Sequence, residues 1–172
     1  MLLVLGAGAY FDIRKHRIPN WLVLSGFISG ILLDLLRSAD TLKGAVFWQV
    51  LFLFCLKFAV ALAVLFPLFI YRMIGAGDIK IIGLVFAYLG PVAGAAALLP
   101  GFLIGGVWSF VKMAAKGILF KRLSYFVEYI KRMCQTGRLT AYYNSARDGY
   151  EVVIPLGFCI FLGMLVYIIL LY

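Results

Sequence analysis

The sequence predicts an all-α integral membrane protein, a polytopic bundle of about six transmembrane helices. Of 172 residues, 65% are apolar and only 13% are charged, and a water-soluble globule could not bury that much apolar surface. The apolar stretches are continuous rather than alternating, which favours helices over a closed barrel as the way to satisfy the backbone in lipid. We therefore expect one transmembrane domain over residues 1–172 in the cell membrane.

Six apolar segments are expected to form the spans. Their approximate limits are 1–11, 21–36, 45–71, 79–89, 92–111 and 152–171. The first segment offers roughly 17 Å of helix before Asp12, whereas the ~20 residues needed to cross the bilayer give roughly 30 Å. This helix either continues through Arg14, begins inside the bilayer, or has its native start upstream.

The fourth segment is also short and ends at Gly90-Pro91. Proline ends a helix and glycine permits a tight turn, so the fourth and fifth segments are predicted to form a hairpin. A half-length helix is acceptable where neighbouring helices or a cavity, rather than lipid, surround its end. Such a place could hold an active site.

Residues 113–151 form one polar excursion before the last span. Its apolar residues recur at helical spacing, which predicts a basic amphipathic helix lying on the membrane surface, followed by a loop (TAYYNSARDGYE) that returns to the last span. These apolar residues are Leu119, Leu123, Phe126, Ile130 and Met133.

Charge fixes an expected orientation. The formal net charge is +9, and the basic residues gather in short stretches between spans, which is typical of orientation signals and of contacts with anionic lipid headgroups rather than of nucleic-acid binding. The richer side is predicted to be cytoplasmic, which places Asp12 and Asp78 at the cytoplasmic face. Lys57, midway along the third span, either snorkels or pairs with an acidic group inside the bundle.

Cysteine and histidine usage predicts no metal site and no cofactor. Cys55, Cys134 and Cys159 are far apart, no CxxC motif occurs, and His16 is the single histidine of the sequence. Neither a zinc site nor a disulfide framework is supported by this spacing.

Two aspartates at the edges of apolar segments are the candidate chemistry. Asp12 lies in YFDIRKHRIPN and Asp78 lies in GAGDIK, and a carboxylate at the boundary of the hydrocarbon layer is costly to keep. The ordinary alternatives are a solvated ion-pair partner for Asp12 and a helix N-cap for Asp78.

The residues around these aspartates suggest backbone shaping. Gly75 and Gly77 either let another chain approach closely or adopt a positive φ. Pro19 fixes a turn after Asp12, and Asn20 is able to cap the next helix.

The order and spacing of these motifs resemble a known family, the type 4 prepilin peptidases and their archaeal preflagellin relatives, which are membrane aspartic proteases of the GxGD kind. The resemblance rests on Asp12 with the following Ile18-Pro19-Asn20, on Gly75, Gly77, Asp78 and Lys80 as GxGDxK, and on Ile154 to Gly157 as the IPLG that opens the last span. It implies that Asp12 and Asp78 are the catalytic pair, that Gly75 and Gly77 shape the approach to it, and that no metal takes part.

The resemblance also implies a substrate and a mechanism. Substrates would be pilin-like precursors with a short basic leader, a small residue at the cut and an apolar helix that stays in the membrane. The two carboxylates would share one proton and activate a water for attack on the scissile carbonyl. Larger bacterial members carry an insertion with paired CxxC motifs and an N-methyltransferase activity, so this chain resembles the short, peptidase-only type.

Two interpretations are open for the role of each of several charged residues. Lys80 either orients or tunes the dyad or snorkels to the headgroups. Glu128, Asp148 and Glu151 either contact the basic leader or balance nearby cations. Three GxxxG spacings, Gly26 to Gly30, Gly90 to Gly94 and Gly101 to Gly105, are expected to mark close helix packing.

The alternative function is a small proton- or cation-coupled transporter or channel subunit that uses the same acidic residues. That alternative predicts an inverted repeat and acidic groups near the bilayer midplane, and the sequence shows neither. A noncatalytic assembly factor, in which Asp12 and Asp78 would be replaceable, is the third possibility.

Overall fold

A computed structural model describes residues 1–15, 17–37, 44–71, 73–136 and 154–171, and this part of the chain forms helices and no strands. There are six helices in it: α1 (Leu2–Lys15), α2 (Asn20–Arg37), α3 (Gly44–Ile70), α4 (Ala76–Ala115), α5 (Leu119–Thr136) and α6 (Leu156–Leu171). The predicted all-α class is confirmed.

Among the described residues, three helices are long and apolar enough to cross a membrane: α2, the part Phe47–Ile70 of α3, and α4. Helix α6 is apolar but shorter. Only helices and closed barrels satisfy their backbone groups in lipid, so this composition and architecture are those of an all-α membrane protein.

Helix boundaries agree with most of the predicted segments. α1 runs without interruption through Asp12 and Arg14 to Lys15, which is the first of the three alternatives for this segment. α6 begins at Leu156, directly after Pro155. The predicted start of this span at residues 152 and 153 lies outside the described residues.

The predicted hairpin within α4 is confirmed. Gly90 interrupts the helix with φ 79° and ψ 176°, a conformation that glycine adopts without strain. A Cβ on Gly94 would lie only 3.3 Å from the Cα of Phe86, whereas eight residues of straight helix span about 12 Å. The chain therefore reverses at Gly90 into a first arm (residues 76–89) and a second arm (residues 91–115).

The first arm of α4 lies at the centre of the bundle. Ile81, Ile82 and Val85 are at most 1% exposed and belong to one core cluster with Leu5 of α1 and Ile160 of α6. A helix that is buried on most of its faces needs protein on every side. This enclosure explains how an arm of half the usual length is tolerated.

Hydrogen bonds fix the end of the first arm against α2. The hydroxyl of Tyr88 donates to the carbonyl oxygen of Gly26 at 2.7 Å and lies 2.8 Å from the Ser29 hydroxyl oxygen. Polar side chains at helix–helix contacts in lipid stabilise packing by finding such partners. The contact holds the arm in place two residues before it reverses.

Close packing at glycine is confirmed for most of the GxxxG residues. A Cβ on Gly26 would lie 2.9 Å from Leu84 Cδ1, and one on Gly101 would lie 2.8 Å from the carbonyl oxygen of Cys159. The packing interpretation is wrong for Gly90, because a Cβ added there would meet no atom within 4 Å. The role of Gly90 is the turn, because its positive φ is what reverses the chain.

Helix α5 forms where the excursion was predicted to be helical. Its apolar side chains are largely uncovered: Phe120 is 81% exposed and Leu123 is 58% exposed. Glu128 pairs with Arg132 one turn later on the surface of the helix, which agrees with the second of its two interpretations, the balancing of a nearby cation. The loop expected after α5, with Asp148 and Glu151, lies outside the described residues.

The contact between α4 and α6 generates a stability prediction. A Cβ on Gly163 would collide with the backbone nitrogen and Cα of Gly101, so Gly163→Ala is expected to force the helices apart and lower the free energy of unfolding by about 1–3 kcal/mol. Thermal unfolding in detergent measures this. Gly106→Ala is the matched control, because no atom lies within 4 Å of its added Cβ; equal unfolding temperatures for the two variants would contradict the prediction.

Candidate active site

Asp12 is a buried carboxylate held between two helices. It lies near the end of α1, is 7% exposed, and its Oδ2 accepts a hydrogen bond of 2.7 Å from the backbone N–H of Gly157 in the first turn of α6. The N–H groups of a first helical turn lack partners within the helix and carry partial positive charge. Asp12 is therefore positioned by the N-terminus of α6 and is not a solvated surface residue.

Asp78 lies in the first turn of α4, three residues after the N-cap. The N-cap is Gly75, and the Asp78 carboxylate accepts a hydrogen bond from the backbone N–H of that glycine. This is the reciprocal half of a capping box, in which the third helical residue reaches back to the N-cap. Asp78 is therefore not the N-cap itself, although its carboxylate contributes to the start of the helix.

The two aspartates line one cavity of about 280 Å³. Every predicted site residue except Pro19 lines this cavity, whose lining among the described residues is Asp12, Arg17, Ile18, Asn20, Gly75, Ala76, Gly77, Asp78 and Lys80. The fold thus brings together two carboxylates that are 66 positions apart in sequence.

Close approach is the reason for glycine at positions 77 and 157. A Cβ on Gly77 would lie 3.0 Å from the Cβ of Ile18, and one on Gly157 would lie 3.0 Å from Oδ2 of Asp12. Neither glycine has a positive φ among the described residues. For Gly77, the structure selects room for a neighbouring segment over a special backbone conformation, whereas a Cβ on Gly75 would meet Oδ2 of Asp78 in the same helical turn at 3.0 Å.

Lys80 joins the start of α4 to the start of α2. Its Nζ donates to Oδ1 of Asn20 at 2.7 Å, and both residues line the cavity. This contact ties the first arm of α4 to the turn that follows α1. Pro19 lies in the turn between α1 and α2, where its carbonyl oxygen accepts a 3.1 Å hydrogen bond from the N–H of Leu22.

Several residues of the site have no role that the sequence assigns, among them Gly157 and Arg17. Gly157 entered only as part of IPLG, and its contact with Asp12 spans 145 positions, a separation that no local pattern encodes. Arg17 counted only among the basic residues, yet it lines the cavity. The signal that could have identified Arg17 is its position three residues before Asn20, because the turn between α1 and α2 positions both residues.

Comparison with known proteins gives one match. A family model described as the type IV leader peptidase family matches residues 1–110, a range that contains Asp12, Asp78 and the complete turn between α1 and α2. Searches among curated proteins and among solved structures found no match. The matched range ends in the second arm of α4, so α5 and α6 lie beyond it.

The contact between Gly77 and Ile18 generates a coupling prediction. Gly77→Ala is expected to push the turn between α1 and α2 away from α4 and lower the free energy of unfolding by about 1–3 kcal/mol. Ile18→Gly removes the atom that the new Cβ would meet. The double variant should therefore lose less free energy of unfolding than the two single variants lose together. Thermal unfolding of the four proteins in detergent measures the coupling, and purely additive effects would contradict the contact.

Proposed function

The chain belongs to the type IV leader peptidase family, and on this premise we propose that it is a multi-pass aspartic endopeptidase that removes the short basic leader of type IV pilin-like precursors. Cleavage takes place at the cytoplasmic face of the cell membrane. The excess of basic residues in the connections predicts that the end of α1 and the start of α4 lie at this face. The observation that carries the proposal is the single cavity lined by Asp12 and Asp78.

Two carboxylates that face one cavity do not both ionise readily, so the pair holds one proton. The ionised member accepts a proton from a water, whose oxygen attacks the scissile carbonyl carbon. The neutral member donates a hydrogen bond to the carbonyl oxygen as charge develops on it. The tetrahedral intermediate then collapses, the C–N bond breaks, and the departing amine takes up a proton from the dyad.

Backbone N–H groups around each carboxylate support the proposed roles of the two aspartates as proton acceptor and hydrogen-bond donor. Gly157 N–H orients Asp12 from α6, and Gly75 N–H orients Asp78 within α4. Groups held in this way need little rearrangement when charge moves during the reaction. The cavity also carries the cationic side chains of Arg17 and Lys80, and positive charge near a carboxylate favours its ionised form.

The position of the carboxylates favours peptide cleavage over transport. Asp12 is three residues from the end of α1 and Asp78 is in the first turn of α4, so both lie at helix ends. A transporter that binds its ion at the bilayer midplane needs acidic groups in the middle of its helices or at breaks there. The break in α4, at Gly90, lies about 18 Å from Asp78 along the first arm.

The dyad is tested by leader removal from a candidate precursor. Asp12→Asn and Asp78→Asn keep side-chain shape and remove the titratable group, so each is expected to lower kcat by about 10²- to 10⁴-fold. Cleavage is followed with purified enzyme in detergent or nanodiscs, after thermal unfolding has shown each variant to be folded. Asp34→Asn is the control for loss of one carboxylate elsewhere; near-normal cleavage by either dyad variant would refute the dyad.

A second prediction concerns the N–H that orients Asp12. Gly157→Ala places a Cβ 3.0 Å from Oδ2 of Asp12, which displaces the carboxylate, and a misplacement on this scale is expected to lower kcat by roughly 10- to 100-fold. Gly105→Ala is the matched control, because its Cβ would lie 3.6 Å from Cys159, an ordinary contact. If both variants cleave at the parent rate, Gly157 does not position Asp12.

A further inference from the structure

Helix α5 is amphipathic, and it is not among the described helices that are apolar enough to cross a membrane. Phe120, Leu123, Val127 and Ile130 recur at spacings of three and four residues, so they share one side of the helix, its apolar face. These four side chains are between 39% and 81% exposed. The apolar face of α5 is therefore left uncovered by the fold.

The opposite side of α5 is the side that the rest of the chain covers. Tyr129 is only 8% exposed. Phe120 and Val127, nine and two residues earlier, lie about 160–180° around the helix axis from it. Glu128 and its partner Arg132 are both exposed. The apolar face thus points away from the protein, and it requires an apolar environment from elsewhere.

The end of α4 sets the depth at which α5 begins. Because α4 reverses at Gly90, its end returns to the side of the membrane from which it starts. Phe110 and Val111 are exposed apolar residues of the second arm, and Lys112 and Lys116 follow them. An exposed apolar stretch that gives way to lysines marks the boundary between the hydrocarbon and headgroup layers.

A defined turn joins this boundary to α5. Gly117 has φ 65°, and its N–H donates to the carbonyl oxygen of Ala114 at 3.0 Å. The N–H of Ile118 donates to the carbonyl oxygen of Met113 at 3.1 Å. This pair of bonds is a Schellman motif, which ends a helix and redirects the chain. Leu119, where α5 begins, is two residues after Gly117 and at most about 7 Å from it, so α5 starts at the level of the headgroups.

Charge identifies the surface that covers the apolar face. The end of α4 and α5 together carry one acidic residue, Glu128, and six basic residues: Lys112, Lys116, Lys121, Arg122, Lys131 and Arg132. Lys131 lies about 20° around the helix from Phe120, so it borders the apolar face, where a lysine reaches lipid phosphates. A second copy of α5, or the basic leader of the proposed substrate, would bring further positive charge and be repelled. Anionic phospholipid supplies both a hydrocarbon layer and negative charge.

We propose that α5 lies in the headgroup layer of the cytoplasmic leaflet, with its apolar face among the acyl chains, and that its cations bind anionic phospholipid. Helices of this kind bury the apolar face about 5–10 Å into the boundary between headgroups and acyl chains. No residue of α5 belongs to the described lining of the dyad cavity. The lipid surface is therefore separate from the proposed peptidase site, and its test does not depend on cleavage.

The test places a fluorescent probe on either side of α5 in full-length protein, with one copy in each nanodisc. In a background in which Cys55, Cys134 and Cys159 are replaced, Leu123→Cys carries the probe on the apolar face, and Gln135→Cys carries it about 120° away. Nitroxide groups on the lipid acyl chains are expected to quench the probe at position 123 roughly threefold more than the probe at position 135. Acrylamide in the water is expected to show the reverse order.

Lipid charge is tested with the same probes. Replacing about 30% of the phosphatidylcholine by phosphatidylglycerol is expected to increase the protection of position 123 from acrylamide. Lys121→Gln combined with Lys131→Gln should raise the phosphatidylglycerol content needed for half-maximal protection about threefold. Salt at about 0.5 M should weaken the effect in the probe-labelled protein that retains both lysines. Arg37→Gln combined with Lys43→Gln is the control, because it removes two charges that are predicted to lie at the other membrane face.

Four results would overturn the inference. A probe at position 123 that is shielded from acrylamide but not quenched by the lipid nitroxide would show that protein covers the apolar face. Equal quenching at positions 123 and 135 would show that α5 does not lie in the interface. Protection that ignores phosphatidylglycerol and salt would remove the anionic lipid, and protection that needs two copies in one nanodisc would assign the face to a second copy.

Discussion

The central constraint in this molecule is the burial of the Asp12 carboxylate at a helix junction. A carboxylate taken out of water needs hydrogen-bond donors in its place, and Asp12 obtains one from the backbone N–H of Gly157 at 2.7 Å. This bond requires the start of α6 to lie against the end of α1, and it requires glycine at position 157, because a Cβ there would meet Oδ2 at 3.0 Å. The position of the last helix is therefore tied to the position of the site.

The break at Gly90 provides the second half of the site. By reversing α4, it creates a half-length first arm that α1, α3 and α6 surround, with Asp78 at one end and Tyr88 fixed to α2 near the other. The close approach of Ile18 to Gly77 and the bond between Lys80 and Asn20 then bring the turn after α1 onto the start of this arm. Each contact is short in range, and together they place two distant carboxylates on one cavity.

The sequence predicted the parts of this structure that have local signals. Apolar continuity predicted the helices, Gly90-Pro91 predicted the hairpin, and Asp12 with GAGDIK predicted the pair that the cavity contains. It could not predict the N–H donor for Asp12, because the donor is 145 positions away and backbone groups carry no sequence signature. The GxxxG spacing wrongly predicted packing at Gly90, since this spacing is the same whether the first glycine faces a helix or turns the chain.

The meeting of positions 12 and 78 in the membrane-embedded protein is measured directly by cysteine cross-linking. In a background in which Cys55, Cys134 and Cys159 are replaced, Asp12→Cys and Asp78→Cys are combined and treated with a short bifunctional thiol reagent in native membranes. Intramolecular cross-linking in most molecules is predicted, with little in the Asp34→Cys and Asp78→Cys pair, because Asp34 lies at the far end of α2. Modification of both cysteines by separate reagent molecules, with no bridge between them, would contradict the shared cavity.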